Sequence, residues 1–242
     1  MDKTQVHLWS LDLRLAGSLA AGLEKILSPS EKSRAEKFKF AEHRTKYIAA
    51  HGALRQILAA YLEIDPSAVE FTEGPHGKPD LISTSRPLPL RFNLSHSHDA
   101  ALIAVTRGRQ LGVDVEHIKR DFAWPEIAER FFSAAEVAKL RHVAPELQQR
   151  AFFVCWTRKE AYIKAKGGGL SIPLQDFEVS LAPGEPPALL VHRDDPEEVN
   201  RWRLAEIEVG PDYAAALSVE GRDWNLRSFR WQGTSPLTTS RK

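Results

Sequence analysis

The side chains best suited to chemistry lie in residues 111–118, which read LGVDVEHI. The alternation predicts a β-strand that buries Val113 and Val115 on one face and carries Asp114 and Glu116 on the other. Two carboxylates this close repel each other unless a positive charge lies between them, and a hard divalent cation prefers such oxygen ligands. The alternative is a half-buried strand with a solvated acidic face, which alternation alone favours.

A second candidate site lies in residues 156–170, WTRKEAYIKAKGGGL. Glu160 and Lys164 share one face of a helix predicted over about 146–166, because they are four residues apart. A weak ion pair between them is the structural alternative. The helix is apolar on several sides and ends in glycines, which let a backbone approach a ligand closely. Glu160 can therefore supply a third carboxylate to the cation, and Lys164 can neutralise phosphate oxygens.

Two further segments offer groups for binding an anion. In residues 92–98, FNLSHSH, Ser95 and His96 place a hydroxyl and an imidazole beside backbone amides. A catalytic Ser–His pair is disfavoured, because adjacent residues of an extended chain point in opposite directions. A zinc site is disfavoured as well, because the one cysteine is remote and no HExxH pattern occurs. Lys78, between glycine and proline, can hold a phosphate, although this signal is weak alone.

The composition is that of an ordinary globular protein. The 242 residues are 43% hydrophobic and 27% charged, and the net charge of +1 gives no global field for nucleic acid or a membrane. Cys155 lies among aromatic residues and is predicted to be buried and unreactive, without a disulfide partner. No signal peptide is recognised, and no apolar run approaches the roughly 18 residues of a membrane span. We therefore expect a cytoplasmic protein.

The elements that must position these residues follow a pattern that occurs twice. Ser28 and Glu31 form a capping-box pattern at the start of a helix over about 30–38, and a longer helix is predicted over about 43–62. A strand at about 5–13 precedes these helices, and strands at about 69–71, 90–94 and 100–105 follow them.

After the acidic strand the pattern begins again. Ser133 and Glu136 form a second capping-box pattern, and the helix over 146–166 follows. Strands are predicted at about 176–181, 188–192, 202–209 and 213–219. Glu31 to Arg55 and Glu136 to Glu160 are both separations of 24 residues. The sequence therefore predicts an α+β fold of two similar halves, residues 1–106 and 107–231, with a disordered tail over 232–242.

The ordered set GKP, FNLSHS, GVDVE, FFSAAE and WTRKEAYIKAKGGGL resembles the Sfp-type 4′-phosphopantetheinyl transferases, the surfactin-synthetase-activating class. The matching segments run from residue 77 to about 178, and the flanks match in layout. The GVDxE and WxxKEAxxK motifs are highly specific in this order and spacing. The resemblance thus favours a metal site over a solvated acidic face for Asp114 and Glu116.

The resemblance implies two pseudo-symmetric halves, each a small antiparallel sheet packed with a long helix, with coenzyme A bound between them. It implies transfer of the 4′-phosphopantetheine arm of coenzyme A to a serine of an acyl or peptidyl carrier protein, with release of 3′,5′-ADP. It further implies dependence on Mg²⁺ and an acidic helical carrier as partner. The two-half layout predicts a monomer, because one chain can form both sides of the cleft.

The resemblance also implies roles for individual residues. Asp114, Glu116 and Glu160 would hold Mg²⁺ on the pyrophosphate of coenzyme A. Contacts to coenzyme A are implied for Lys164, Lys78, Ser95 and His96, and through the cation for Asp114, with Lys46 and Arg44 as looser candidates for the 3′-phosphate.

Catalysis of phosphoryl transfer depends on charge neutralisation and alignment, so Lys164 would stabilise the departing charge. A carboxylate or a metal-bound hydroxide can accept the proton that the carrier serine loses, and Glu160 and Glu136 are the candidate carboxylates. Glu136 is explained equally well as the third residue of a capping box.

Two other functions are compatible with the same residues. A Mg²⁺-dependent hydrolase of coenzyme A or nucleotide pyrophosphates would release 3′,5′-ADP without a carrier. A non-catalytic module would bind coenzyme A and leave every carrier unmodified, and the presence of all matched metal ligands disfavours it.

Overall fold

The computed structural model describes residues 1–74, 76–82, 88–119 and 121–233. In it the helices and strands follow the same order twice, except that the second repeat has one additional short helix. The first repeat comprises β1 (Gln5–Asp12), α1 (Ala16–Glu24), α2 (Pro29–Glu36), α3 (Ala41–Leu62), β2 (Phe71–Glu73), β3 (Pro79–Leu81), β4 (Leu90–Ser97) and β5 (Ala100–Arg107). The second repeat comprises β6 (Leu111–His117), α4 (Trp124–Phe131), α5 (Ala134–His142), α6 (Pro145–Lys166), β7 (Phe177–Val179), β8 (Leu189–His192), α7 (Glu198–Arg201), β9 (Trp202–Glu206) and β10 (Tyr213–Glu220). A last strand, β11 (Asn225–Arg230), follows.

The two repeats connect their strands in the same way. The strands β1, β5 and β4 are neighbours in one antiparallel sheet, and β6, β10 and β9 are neighbours in another. Each repeat also contains an antiparallel pair, β2 with β3 and β7 with β8. The α+β class with small antiparallel sheets is therefore confirmed.

The last strand leaves the second repeat and joins the sheet of the first. It pairs in parallel with β1, from Gln5 opposite Asn225 to Ser10 opposite Arg230. The division into two domains at residues 106 and 107 stays a prediction. Of the predicted disordered tail, residues 234–242 lie outside the described part of the chain.

Both predicted capping boxes are confirmed. The hydroxyl oxygen of Ser28 accepts from the amide of Glu31, whose carboxylate accepts from the amide of Ser28. Ser133 and Glu136 make the same reciprocal pair at the start of α5. Each box satisfies amides that the first turn of a helix leaves without partners.

A buried cation joins each capping box to the long helix of its repeat. Arg55 of α3 donates to Glu31 at 2.7 Å, and Lys159 of α6 lies 2.8 Å from Glu136. Both helices have 22 residues, and each cation lies 14 positions beyond the first residue, from 41 to 55 and from 145 to 159. The equal spacing of 24 residues in the sequence matched Arg55 with Glu160, which is wrong by one position.

Apolar residues form three clusters. One lies under α3 in the first repeat and one around α6 in the second. The third lies between the two sheets and includes Val113 and Val115, which are fully buried as predicted. One face of β6 therefore packs against the first repeat. The opposite face, which carries Asp114 and Glu116, is directed toward α6.

Cys155 is a free, buried cysteine, and burial raises the pKa of its thiol well above the usual value. Among the described residues, no helix has the length and apolar character needed to cross a membrane.

Candidate active site

Asp114 lies at the point where three elements meet. Its side chain is buried, and its Oδ1 atom accepts from Lys164 Nζ of α6 at 2.6 Å and from the Ser95 hydroxyl of β4 at 3.0 Å. Lys164 Nζ also donates to the Ser95 oxygen at 3.1 Å. Lys164 therefore pairs with Asp114, and not with Glu160 four residues earlier on its helix.

The other two predicted metal ligands are half-buried near Asp114. The Ser97 hydroxyl donates to Glu116 Oε2 at 2.9 Å. Burial, and then the charge of Asp114, raises the pKa of Glu116. Burial, and then the charges of Asp114 and Glu116, raises the pKa of Glu160. The carboxylates of Asp114, Glu116 and Glu160 thus lie close enough to repel one another.

The donor set of this region fits a hard divalent cation. All three side chains offer carboxylate oxygens, and the buried Oδ2 atom of Asp114 has no hydrogen-bond partner within the described residues. Among all the described residues, no group of three or more His, Cys, Asp or Glu side chains is arranged so that it could hold a metal ion. The three-ligand Mg²⁺ site stays a prediction.

Close packing of β6 on α6 brings Lys164 to Asp114. A Cβ atom on Gly112 would lie 2.2 Å from the carbonyl oxygen of Ala161 and 2.4 Å from the amide nitrogen of Ala165. Because these are backbone atoms of α6, no side-chain rotation can relieve the clash. The glycine of the GVDVE motif is therefore required for the contact between strand and helix.

A cavity of about 300 Å³ opens beside this region, between the two repeats. Its lining includes Lys78 and Leu94 from the first repeat and Glu160, Lys164 and Gly169 from the second. Three of the sequence motifs, GKP, FNLSHS and WTRKEAYIKAKGGGL, thus contribute residues to the lining of one cavity.

Lys78 lies at the edge of the cavity and crosses between the repeats. Its ammonium group donates to the carbonyl oxygens of Leu111 at 3.0 Å and Ala165 at 3.2 Å. Burial, and then the charge of Arg91, lowers the pKa of Lys78 to about 8. The structure thus places Lys78 beside the predicted phosphate site, with its ammonium group bound to the main chain.

The other predicted coenzyme A contacts are spread over the first repeat. Ser95 is buried and His96 is exposed, because they lie on opposite faces of β4. Lys46 pairs with Glu42 and Asp99, and Arg44 pairs with Glu24. The assignment of Lys46 and Arg44 to the 3′-phosphate stays a prediction.

Glu136 lies in the core of the second repeat, and its side-chain contacts are those of a structural carboxylate. Its Oε2 atom accepts from the Ser133 amide at 3.0 Å and pairs with Lys159, while its Oε1 atom accepts from the Val179 amide at 2.8 Å. These contacts favour the capping role, and the role of proton acceptor gains no support from them.

Sequence reasoning missed Ser97 and Lys159. Ser97 lies two residues after Ser95 on β4, which extends to Ser97 and therefore beyond the strand predicted over 90–94. On this longer strand the period of two places both hydroxyls on one face. That periodicity is the signal that identifies Ser97. Lys159 had no comparable signal, because a lysine in a charged helical stretch is normally solvated.

Comparisons with known proteins identify the family of this chain. Residues 110–218 match the family described as the 4′-phosphopantetheinyl transferase superfamily, and residues 19–108 match the 4′-phosphopantetheinyl transferase N-terminal family. The 4′-phosphopantetheinyl transferase HetI of Nostoc is 38% identical over 94% of this chain and 92% of its own length. The 4′-phosphopantetheinyl transferase Sfp of Bacillus subtilis is 28% identical over 82% of this chain and 84% of its own.

A solved structure, holo-[acyl-carrier-protein] synthase of Thermotoga maritima, aligns with 47% of this chain and 63% of its own, at 26% identity and a TM-score of 0.37. On the sequence matches, the chain belongs to the 4′-phosphopantetheinyl transferase superfamily, and it is an enzyme of the transferase class. The prediction of an Sfp-type member is confirmed.

Proposed function

We propose that the protein transfers the 4′-phosphopantetheine arm of coenzyme A to a serine of an acyl or peptidyl carrier protein, in a Mg²⁺-dependent reaction that releases 3′,5′-ADP. The observation that carries the proposal is the placement of Asp114, Glu160 and Lys164 beside a cavity of about 300 Å³ between the repeats. A carboxylate cluster next to a lysine suits a pyrophosphate, which needs both a cation and a positive side chain.

In the proposed reaction, the serine oxygen of the carrier attacks the phosphorus that bears the pantetheine arm. A new P–O bond forms to the serine, the P–O bond to the 3′,5′-ADP oxygen breaks, and the serine proton passes to a base. Lys164 stabilises the charge that develops on the leaving oxygen. Glu160 is the better placed proton acceptor, because it lines the cavity while Glu136 is engaged in the core.

Asp114, Glu116 and Glu160 would hold Mg²⁺ in this proposal. When bound, Mg²⁺ supplies neutralisation of the pyrophosphate charge and alignment of the reacting groups. The free Oδ2 atom of Asp114 offers a ligand without the loss of a protein hydrogen bond. Lys164 would turn from the other oxygen of Asp114 toward the pyrophosphate.

The remaining coenzyme A contacts extend from the cavity along the first repeat. Lys78 would reach a phosphate by exchanging its carbonyl partners at Leu111 and Ala165, which its position at the cavity edge allows. His96 is exposed on β4 and suits the nucleotide end. Lys46 and Arg44 remain the candidates for the 3′-phosphate.

A surface cavity of about 410 Å³ on the second repeat suits the carrier protein. Its lining combines the apolar Phe132 and Val137 with the basic Arg141 and Arg193, and it includes Glu129, which pairs with Arg141 at 2.6 Å. An acidic, helical carrier matches that combination of charge and apolar surface. We also propose a monomer in the cytoplasm, because one chain contributes both sides of the central cavity and its one cysteine is buried and free.

Mass measurement on several candidate carriers, each incubated with enzyme, coenzyme A and Mg²⁺, tests the proposal. The expected result is a gain of the phosphopantetheine mass on at least one carrier, together with 3′,5′-ADP. Asp114→Ala should abolish the labelling and leave the circular dichroism spectrum unchanged, and near-normal turnover of that variant would contradict the metal assignment. Release of 3′,5′-ADP without carrier would indicate the hydrolase, and binding of coenzyme A without any product would indicate the binding module.

A further inference from the structure

The outer edge of β6 faces side chains of β4 in place of another strand. β6 pairs with β10 on its other side, and β4 belongs to the other sheet. Three side chains of β4 nevertheless accept amides of β6, each from a residue 20 positions later in the chain. The contacts are Asn93 Oδ1 with the Val113 amide at 2.8 Å, Ser95 Oγ with the Val115 amide at 3.3 Å, and Ser97 Oγ with the His117 amide at 3.1 Å.

The two serines in this ladder make a second contact that the asparagine does not make. The Ser95 hydroxyl donates to Asp114 at 3.0 Å, and the Ser97 hydroxyl donates to Glu116 at 2.9 Å. In each case the serine accepts one amide of β6 and donates to the carboxylate that precedes that amide by one residue. The amide occupies the hydroxyl oxygen as an acceptor, so the O–H proton is left to the carboxylate.

Glu116 depends on its serine more than Asp114 does. Asp114 is also held by Lys164 at 2.6 Å, whereas the Ser97 hydroxyl is the one hydrogen-bond partner of the Glu116 side chain found among the described residues. A half-buried carboxylate with one partner can rotate away once that partner is removed. A metal ligand that loses its orienting hydrogen bond holds its cation less tightly.

We infer that Ser97 is a positioning residue, which orients Glu116 of the second repeat from a strand of the first repeat. The inference rests on the proposed function, in which Glu116 is a ligand of Mg²⁺. Ser95 does the same for Asp114, but its proposed place at the nucleotide end makes it the poorer test. Ser97 lies outside the set of residues to which a contact with coenzyme A is assigned.

Ser97→Ala removes the hydroxyl that orients Glu116, and Ser97→Thr keeps a hydroxyl at the same position. Asn93→Ala is the control for the strand edge, because Asn93 caps the same edge and contacts neither carboxylate. Asn93 also lines the central cavity, so only its Mg²⁺ dependence, and not its KM for coenzyme A, is compared. Two quantities should be measured for each variant: the Kd of Mg²⁺ by titration calorimetry in the presence of coenzyme A, and the Mg²⁺ concentration that gives half-maximal labelling of a carrier.

We expect Ser97→Ala to raise both Mg²⁺ quantities by about tenfold, in keeping with other residues that orient metal ligands. Ser97→Thr should remain within about twofold of the wild type, and so should Asn93→Ala. At saturating Mg²⁺ the KM for coenzyme A should be unchanged in Ser97→Ala, a result that general distortion of the cavity would not produce.

Two results would overturn the inference. One is a Mg²⁺ affinity of Ser97→Ala equal to that of the wild type, and the other is an equal loss in Asn93→Ala, which would attribute the effect to the strand edge. Should Ser97→Ala fail to fold, Ser97→Cys provides the same comparison with a weaker donor. Failure of the proposed function is a separate outcome, since the wild type would then label no carrier at all.

Discussion

The strands β1 and β6 occupy the same place in their repeats, but their outer edges are covered in different ways. β11 covers the edge of β1 with a parallel strand, whereas side chains of Asn93, Ser95 and Ser97 cover the edge of β6. A strand fills the space beside an edge completely. Side chains accept hydrogen bonds from the edge amides and leave room for carboxylates and for a cavity. The proposed chemistry therefore lies at the edge of β6, which is covered by side chains and not by a strand.

The long helices α3 and α6 make the same structural contacts in the two repeats, but only α6 contributes a carboxylate to the cavity. Arg55 and Lys159 lie at equivalent positions, and each joins a capping-box glutamate to carbonyl oxygens of the segment after its helix. One position further along, the first repeat has Gln56, which accepts from the indole of Trp231, and the second has Glu160 at the cavity. The structural contacts of Arg55 and Lys159 are thus the same in both repeats. The next residues differ, because Gln56 has a structural contact and Glu160 lines the cavity.

The largest effect is expected at that neighbouring position. Glu160→Gln should lower kcat/KM for carrier labelling on the order of 10³-fold, because it removes a carboxylate that lines the cavity and can accept the serine proton. Gln56→Ala should change kcat/KM by less than about threefold, because Gln56 lies at the equivalent position without a role at the cavity. Equal losses in the two variants, measured by carrier labelling, would contradict the functional difference between the repeats.

Glu136→Gln distinguishes the two candidates for the proton acceptor. It should lower the free energy of unfolding and retain most of the turnover of the folded enzyme, since its contacts are structural. If Glu136→Gln lost its turnover and still had the same urea midpoint of unfolding as the wild type, Glu136 would be supported as the proton acceptor.

The shared support is tested by Arg55→Met and Lys159→Met. Each substitution removes the cation that lies closest to a buried glutamate, so each should lower the free energy of unfolding by about 3–5 kcal/mol. Urea titration followed by circular dichroism gives both values. Lys139→Met is the control, since its pair with Glu185 is partly exposed and should contribute no more than about 1 kcal/mol. A loss at only one of the two buried sites would show that the repeats are supported differently.

A smaller effect is expected from Gly112→Ala. The added Cβ meets backbone atoms of α6, so the substitution should cost about 1–3 kcal/mol of stability and weaken labelling by moving Lys164 from Asp114. Gly22→Ala in α1 is the matched control: its Cβ has nothing within 4 Å, and alanine should be neutral or stabilising by up to about 1 kcal/mol. Thermal unfolding of both variants measures the difference, and a neutral Gly112→Ala would argue against close packing of β6 on α6.

Local patterns in the sequence predicted the elements whose signals are local. The long helices, expected over 43–62 and 146–166, are Ala41–Leu62 and Pro145–Lys166, and both capping boxes are present. The pairing of Lys164 with Asp114 was not predicted, because it depends on how closely β6 packs on α6. The strand β11 was missed for a similar reason: its pairing with β1 joins residues that are more than 200 positions apart.

The return of β11 to the first sheet bears on the order in which the protein is made. A ribosome synthesises the chain from its N-terminus, and domains generally fold as their residues emerge. The first sheet cannot gain its fourth strand until Asn225–Arg230 has been synthesised, which is after the whole second repeat. Until then the edge of β1 is unpaired and open to association with other strands. The repeat that is made first is therefore the one completed last.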